Sequence, residues 1–507
     1  MDSGFLPLFV VIPMLAAFLI PLFAKLWPRS ADLIANAAGA ALLGLSVYGA
    51  VYLFTDSPPL LYRMGGWAST LGITLVYDHL TALVALAVNT VGLAALLFSV
   101  RYLDHYTGRW KFFSLFMLVL AGLNGVTITG DMFNLFVFIE ISAVSSYALV
   151  AFGTDFDELE AGFKYMVIGE IGGTAILLAI ALLYAKASTL NMAVVSQVMA
   201  GFGHTPLFWF IVAMFLVGFA VKMAMVPFHA WLPDAHPSAP APVSALLSGV
   251  FIKVLGVYAM CRLMFNVFGL SRANAPSFFN LLLAFGVLSI VVGGLLAYVQ
   301  KDYKRLLAYS SISQIGYILI GLGIGNYWAI VGALFHVLAH ALGKGLLFLT
   351  SGSVEYATGT RDLDKLSGLE KKMPVTVWSY LLGSLSLAGV PPFAGFFSKL
   401  FIIIGAVTAK MYWLAILAAL FSTVTLGYLV RVVNKAFFSR EGTVPAGGLS
   451  PKPVREAPAT MVLAMLALLV LTVALGIGFK PMIDKLVGPA AKVLLNGLGY
   501  AKSVLGG

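Results

Sequence analysis

Four lysines, Lys222, Lys253, Lys344 and Lys399, lie inside long hydrophobic stretches, together with Glu140, Glu170, His336 and His340. The other 27 of the 31 lysines and arginines fall in loops or at the ends of apolar segments. A charge at mid-bilayer depth costs roughly 2.5–3.5 kcal/mol on insertion scales, so such a side chain faces protein or water, and it marks a candidate ion or proton path. Glu140 comes eight residues into an apolar span with only Asn134 polar before it. It must be protonated or paired, and Lys222 is the candidate partner. The bland alternative is a static ion pair joining two helices, which stabilises weakly.

Lys253 is flanked by Phe251, Ile252, Val254 and Leu255, with nothing in its own helix to neutralise it. Burial opposes its charge and a nearby carboxylate would favour it, so a lysine balanced between the two can take up and release protons. Snorkelling is the alternative, but the residue is far from either helix end. His336, His340 and Lys344 recur every four residues, which puts them on one helix face over about 12 Å. Imidazole accepts on one nitrogen while donating from the other near neutral pH, so this stripe resembles a proton relay. The rivals are polar packing between helices and haem ligation, which needs histidines on opposing helices. Lys399 is either the last lysine of a water-reaching channel or a cap on freed carbonyls. Glu170 ranks second, since it follows Lys164 by about two turns and a local contact would explain it. His229 ranks second with it.

These residues need helices that cross a membrane. The 507-residue chain is 61% hydrophobic and 10% charged, with mean hydropathy +0.98, against about 25% charged for a soluble protein. The fold class is an all-α integral membrane protein in contact with the lipid bilayer. A lone cysteine, Cys261, excludes an internal disulfide and a cysteine-ligated cluster. No phosphate-cradling loop, metal-spaced Cys/His set or nucleophile elbow is present, so no metal and no cofactor is expected. The net charge of +10 is better read through loop asymmetry than as a sign of nucleic acid. The opening Met-Asp-Ser lacks a basic signal-peptide region, so the first apolar run is expected to be a retained span.

Hydropathy predicts about fourteen spans, near 4–24, 31–54, 79–100, 112–129, 132–152, 162–185, 205–227, 240–264, 276–299, 304–325, 327–351, 374–407, 410–434 and 458–479. Loops after odd-numbered spans then carry eighteen lysines and arginines, Arg440 and Lys452 among them, against nine on the other side. The positive-inside rule makes the odd loops cytoplasmic and puts both termini outside, in a multi-pass protein of the cell (inner) membrane. Proline lacks the N–H donor and clashes with the preceding turn, so Pro227 and Pro233 should break span seven, and Pro391 and Pro392 span twelve. Interrupted helices at matching places in two halves point to a repeat-built transporter with its site at the breaks. Spans 4–8 and 9–13 form two such five-helix units, taken as inverted repeats. The domain reading is one transmembrane domain, 1–507, divided as 1–110, 111–265 (first repeat), 276–435 (second repeat) and 458–507. Asp155–Glu160 is expected to be a solvated acidic loop, and Val487–Val504 an interfacial amphipathic helix.

Four motifs carry a family likeness: Gly130-Asp-Met-Phe-Asn-Leu-Phe-Val-Phe-Ile-Glu140, Lys222-Met-Ala-Met-Val-Pro-Phe-His-Ala-Trp-Leu-Pro-Asp-Ala-His236, His336-Val-Leu-Ala-His-Ala-Leu-Gly-Lys344 and Ala388-Gly-Val-Pro-Pro-Phe-Ala-Gly-Phe-Phe-Ser-Lys399. With Lys253 they resemble the antiporter-like subunits of respiratory complex I, membrane-bound hydrogenases and Mrp-type cation/proton antiporters, over about residues 75–440. The D-type Mrp subunit and its hydrogenase counterpart are the most similar, and the lack of a long lateral helix after span fourteen weighs against the largest subunits. The resemblance implies a switching pair at Glu140 and Lys222, lateral proton transfer at Lys253 and His336, and an exit-side group at Lys399. It implies protons as the cargo, other membrane subunits as partners, and either Na+ in an Mrp antiporter or a redox module in a hydrogenase or quinone oxidoreductase. A scaffold subunit with static buried pairs is the rival from another class.

Overall fold

The computed structural model describes residues 3–55, 57–201, 203–439 and 454–506, so Arg440 and Lys452 of the loop count lie outside the described residues. Twelve helices among these residues are long and apolar enough to cross a membrane, from Ser3–Ala24 to Ala459–Ile477. Three of them, Ala241–Val267, Tyr303–Ile324 and Tyr327–Thr358, are almost wholly buried in the protein, whereas Ser30–Leu53, Tyr412–Phe438 and Ala459–Ile477 turn much of their apolar surface outward. A helix that is apolar all round and buried belongs at the centre of a bundle, and the central three carry Lys253, Lys304, His336, His340 and Lys344. A short hairpin, Leu60–Arg63 against Thr74–Tyr77, is an addition to the all-α expectation.

Shorter apolar helices mark the interruptions: Pro206–Lys222, Pro374–Ala388 and Ala394–Thr408. After Lys222 the chain turns through 223–231 and resumes as Leu232–Ser238. The freed groups find partners, as buried backbone must. Trp231 Nε1 donates to the Val221 carbonyl at 3.0 Å, and the Val226 N–H donates to Ser289 Oγ at 3.1 Å. Pro227 lies in the break as expected. Pro233 does not: it sits in the first turn of Leu232–Ser238, where its missing N–H is not needed, so it begins a helix and does not end one. In the second interruption Pro391 and Pro392 lie between the helix ending at Ala388 and the one starting at Ala394, with Gly389 at φ 87° closing the first half.

Four other expectations change. The acidic stretch is helical, because Asp155 and Glu158 form a capping box at the start of Phe156–Ala187, which satisfies two orphan N–H groups. The C-terminal segments Gly488–Leu495 and Gly499–Leu505 bury Ala490, Ala491, Leu494, Tyr500 and Val504 against the protein and do not lie free at an interface. Asn266 Nδ2 ties down this tail through the Val493 carbonyl at 2.8 Å. Two cations assigned to helix ends, Arg262 and Lys304, are buried. Arg262 grips Asp78 with two parallel bonds of 2.8 and 2.9 Å. Burial opposes ionisation of Asp78, but the guanidinium more than offsets it and holds the carboxyl below its ordinary value.

Candidate functional site

The sequence-predicted residues gather into two groups. At one edge, Lys222 Nζ donates to Glu140 Oε1 at 3.2 Å, with the lysine 2% and the glutamate 19% exposed. Glu170 joins this pair. Its carboxyl is close enough to interact with Glu140 and with Lys222, while Lys164 pairs instead with Glu160 and Asp234. The local Lys164–Glu170 contact is therefore not formed. Glu170 points to the outer surface of the bundle. A Cβ on Gly173 would come within 2.5 Å of Glu140 Oε1, so glycine there makes room for the carboxylate.

The second group sits at the centre: Lys253, His336, His340, Lys344 and Lys399, none more than 3% exposed. The charges of Lys253, Lys344 and Lys399 all act on His340, and those of Lys399 and Lys253 on His336. The two imidazole centroids are 5.8 Å apart. His336 Nδ1 is 2.9 Å from Ser398 Oγ, and the Ser398 hydroxyl spends its only hydrogen on the Gly395 carbonyl, also at 2.9 Å. Ser398 must then accept, so neutral His336 carries its proton on Nδ1 and keeps the Nε2 lone pair free. Nε2 and both nitrogens of His340 have no hydrogen-bond partner among the described residues.

Each central lysine donates to main-chain carbonyls. Lys253 bonds to Ser248, within a stretch of i→i+5 helix geometry (Leu247–Phe251, then Lys253–Tyr258) that alters the backbone bonding there, as such stretches do at functional sites. Lys344 Nζ reaches the Leu307 carbonyl at 2.9 Å. Lys399 Nζ donates to Leu387 and Ala388 carbonyls at 2.8 and 3.3 Å and to Ser422 Oγ at 3.3 Å, and lies 4.7 Å from the Tyr317 ring centroid. It does cap the broken helix, and it also lines a 290 Å³ cavity with Gly389, Phe396 and Ser422. Among the described residues the buried lysines in ion pairs are Lys222 and Lys304. The two groups meet where Gly256, one turn past Lys253, lets the backbone of Met223 approach: a Cβ there would lie 2.7 Å from Met223 N. His229 stays apart, half-buried in the turn of the first break.

Sequence reasoning missed a third set. Lys304 Nζ lies 2.8 Å from Glu355 Oε2 and donates to the Ala239 carbonyl at 3.1 Å. Arg361 Nε stands 3.6 Å from Glu355 Oε1 and 3.4 Å from Asp302 Oδ2. Burial works against the Arg361 charge, but Glu355 and Asp302 outweigh it and raise the guanidinium above its ordinary value. His236, fully buried, stacks on Phe348 at 4.6 Å, with neither ring nitrogen hydrogen-bonded among the described residues. Lys304 reads from sequence as one of three basic residues opening a helix, and Glu355 lies past the expected end of span eleven, so neither carried a signal. His236 did, inside the proline-rich motif.

Residues 129–425 match the family described as NADH:quinone oxidoreductase/Mrp antiporter, TM, and residues 67–113 match NADH-Ubiquinone oxidoreductase (complex I), chain 5 N-terminus. The chain is 36% identical to the N subunit of the NADH-quinone oxidoreductase of Desulforudis audaxviator, over 95% of this chain and 97% of that protein. It is 32% identical to the D subunit of the Na(+)/H(+) antiporter of Alkalihalophilus pseudofirmus, over 98% and 99%. A chain of the Mrp complex from Dietzia sp. superimposes with a TM-score of 0.91 at 27% identity, covering both chains fully.

Proposed function

Since this chain belongs to the family of membrane subunits shared by NADH:quinone oxidoreductases and Mrp antiporters, we propose that it is the proton-translocating subunit of a multi-subunit Mrp-type Na+/H+ antiporter. One observation carries the reading: Lys253, Lys344 and Lys399 are buried around His340 and bonded to carbonyls, with no carboxylate among the described residues paired to any of them. A scaffold of static ion pairs would supply counter-charges. Three ammonium groups without them are too costly to hold together in a protein interior, so the cluster carries fewer protons than it has sites. His336 and His340 between them supply acceptors. In this reading Glu140 and Lys222 switch, Lys253, His336, His340 and Lys344 pass protons laterally, and Lys399 hands them on at the second break.

The fold supports the same scheme. On this reading the twelve long helices and the two interrupted ones are fourteen crossings, taken as two inverted five-helix repeats with the break fourth in each. The bias of basic loops supports the odd loops as cytoplasmic and both termini as outside, in an inner membrane. The partners are protons, Na+ and further membrane subunits. A second reading, a proton-pumping subunit of a quinone oxidoreductase or hydrogenase-like complex with a redox module, is favoured by the likeness to the oxidoreductase N subunit. Proton flux through the whole complex reconstituted with Lys253→Ala tests the function. Flux should vanish with assembly intact, and unchanged flux would favour the scaffold. Co-purification separates the two hosts: flavin or iron–sulfur subunits would replace the antiporter with the redox complex.

A further inference from the structure

Glu355, Lys304 and His236 are absent from the path above, yet Glu355 lines a cavity on the side of the basic loops, Lys304 pairs with it, and His236 packs on Phe348 beside Lys344. Glu355 is 20% exposed along its side chain and lines a 640 Å³ cavity. The cavity wall also bears Tyr102, His105, Tyr106, Lys111, Asp155 and Glu158, all on that face. Behind Glu355 stands Lys304, 2% exposed, its ammonium shared between that carboxylate and the Ala239 carbonyl at the end of the first broken helix. Three residues before Ala239 is His236, fully buried, with neither ring nitrogen hydrogen-bonded among the described residues, and stacked on Phe348, whose ring centroid lies 6.0 Å from Lys344 Nζ. The charges of Lys304, Lys344 and Lys253 all act on the imidazole. A buried imidazole with both nitrogens unpartnered is a costly arrangement for packing alone.

We propose that Glu355, Lys304 and His236 form the proton access line from the basic-loop cavity to Lys344 and Lys253, with the Lys304–Glu355 pair as its gate. The inference rests on the proton-transport reading. With the pair closed, Lys304 is held by its carboxylate, Arg361 holds Glu355 from the other side, and His236 is neutral. When Glu355 takes a proton from the cavity, Lys304 loses its counter-charge and gives its own proton to His236, and Glu355 then returns the proton to Lys304. The net event is one proton moved from the cavity to His236, with the ion pair restored. His236 then stands as a cation beside Lys344 and Lys253 and releases the proton to whichever of them is neutral. Anchoring Lys304 on Ala239 ties the gate to the broken helix that ends in Lys222 on its other half.

The test uses the assembled complex in proteoliposomes, with pH varied on the basic-loop side alone. Glu355→Gln and His236→Gln should each cut flux at least tenfold, with residual flux no longer following the pH of that side. Glu355→Asp should keep at least half. A second arm leaves all three residues intact. Tyr356→Cys lines the cavity, and a membrane-impermeant maleimide added to that side should block flux only after labelling, since Cys261 is buried. The access line is overturned if both glutamine variants stay within twofold of wild type, or if fully labelled Tyr356→Cys complex transports normally, in preparations where Lys253→Ala is inactive. Wild-type flux in Lys253→Ala would remove the transport reading and the access line together.

Discussion

Replacing His336 by glutamine separates proton carriage from packing. The ring is wholly buried and, among the described residues, makes one protein hydrogen bond, from Nδ1 to Ser398 Oγ. A glutamine amide N–H can replace that bond, whose net worth is about 1 kcal/mol. Its remaining polar atoms face the site where Nε2 has no protein partner, at a cost of about 1–3 kcal/mol. The variant should therefore assemble, whereas His336→Ala would add a cavity penalty of about 2–5 kcal/mol and confuse folding with function. A carboxamide neither takes nor gives a proton at physiological pH, so flux should fall at least tenfold, equivalent to about 1.4 kcal/mol on the limiting barrier. Flux is read with a pH-sensitive dye in proteoliposomes between pH 6 and 8, roughly the range over which imidazole titrates. His336→Lys restores a titratable group and should recover part of the flux with a displaced pH profile. Wild-type flux in His336→Gln across that range would make the histidine a packing residue and refute the relay.

Glu140→Gln removes an attraction of about 5 kcal/mol for the Lys222 ammonium at 3.2 Å, taking an effective dielectric of about 20; transport should stop while subunit composition on a gel stays unchanged. Gly395→Ala would set a Cβ 1.8 Å from the Ser386 carbonyl oxygen, a clash with backbone that no side-chain rotation relieves, so complex yield should fall with a stability loss of about 1–3 kcal/mol or more. Asp364, held chiefly by Lys435 and then by Lys301, has its carboxyl lowered from 3.8 to about 2. Because the folded value is the lower one, its contribution is present above pH 3.8 and is lost as pH falls through about 2. Hydrogen exchange in residues 361–373 should therefore stay flat from pH 7 to about 4 once intrinsic rates are removed, and Asp364→Asn should speed it at neutral pH.

The buried residues were legible because they violate the composition around them: a lysine between Ile252 and Val254 announces itself. Periodicity placed His336, His340 and Lys344 on one face, and the prolines located both breaks. Partners across helices were not legible. Nothing in the spacing of Glu170 says that it leaves Lys164 for Glu140, because a helix face is fixed by its own sequence and its neighbour by packing. Buried charges at helix ends were hidden for a related reason. Arg262 and Lys304 read as ordinary terminal cations until Asp78 and Glu355, 184 residues and 51 residues away along the chain, are brought to them. The tail was misjudged because an amphipathic pattern reports an apolar face without naming what covers it.

Lys399 makes its three donations with the three hydrogens of an ammonium group, to Leu387, Ala388 and Ser422. Ser422 meanwhile gives its own hydrogen to Ala388 at 2.6 Å. A neutral amine has two hydrogens and a lone pair. With two hydrogens the tally no longer closes: one of the three acceptors is released, or the Ser422 hydroxyl swings from Ala388 to the nitrogen. If Lys399 hands on protons as proposed, the last turn before Gly389 would gain or lose a tether with each one, and the hinge of the second broken helix would register its passage.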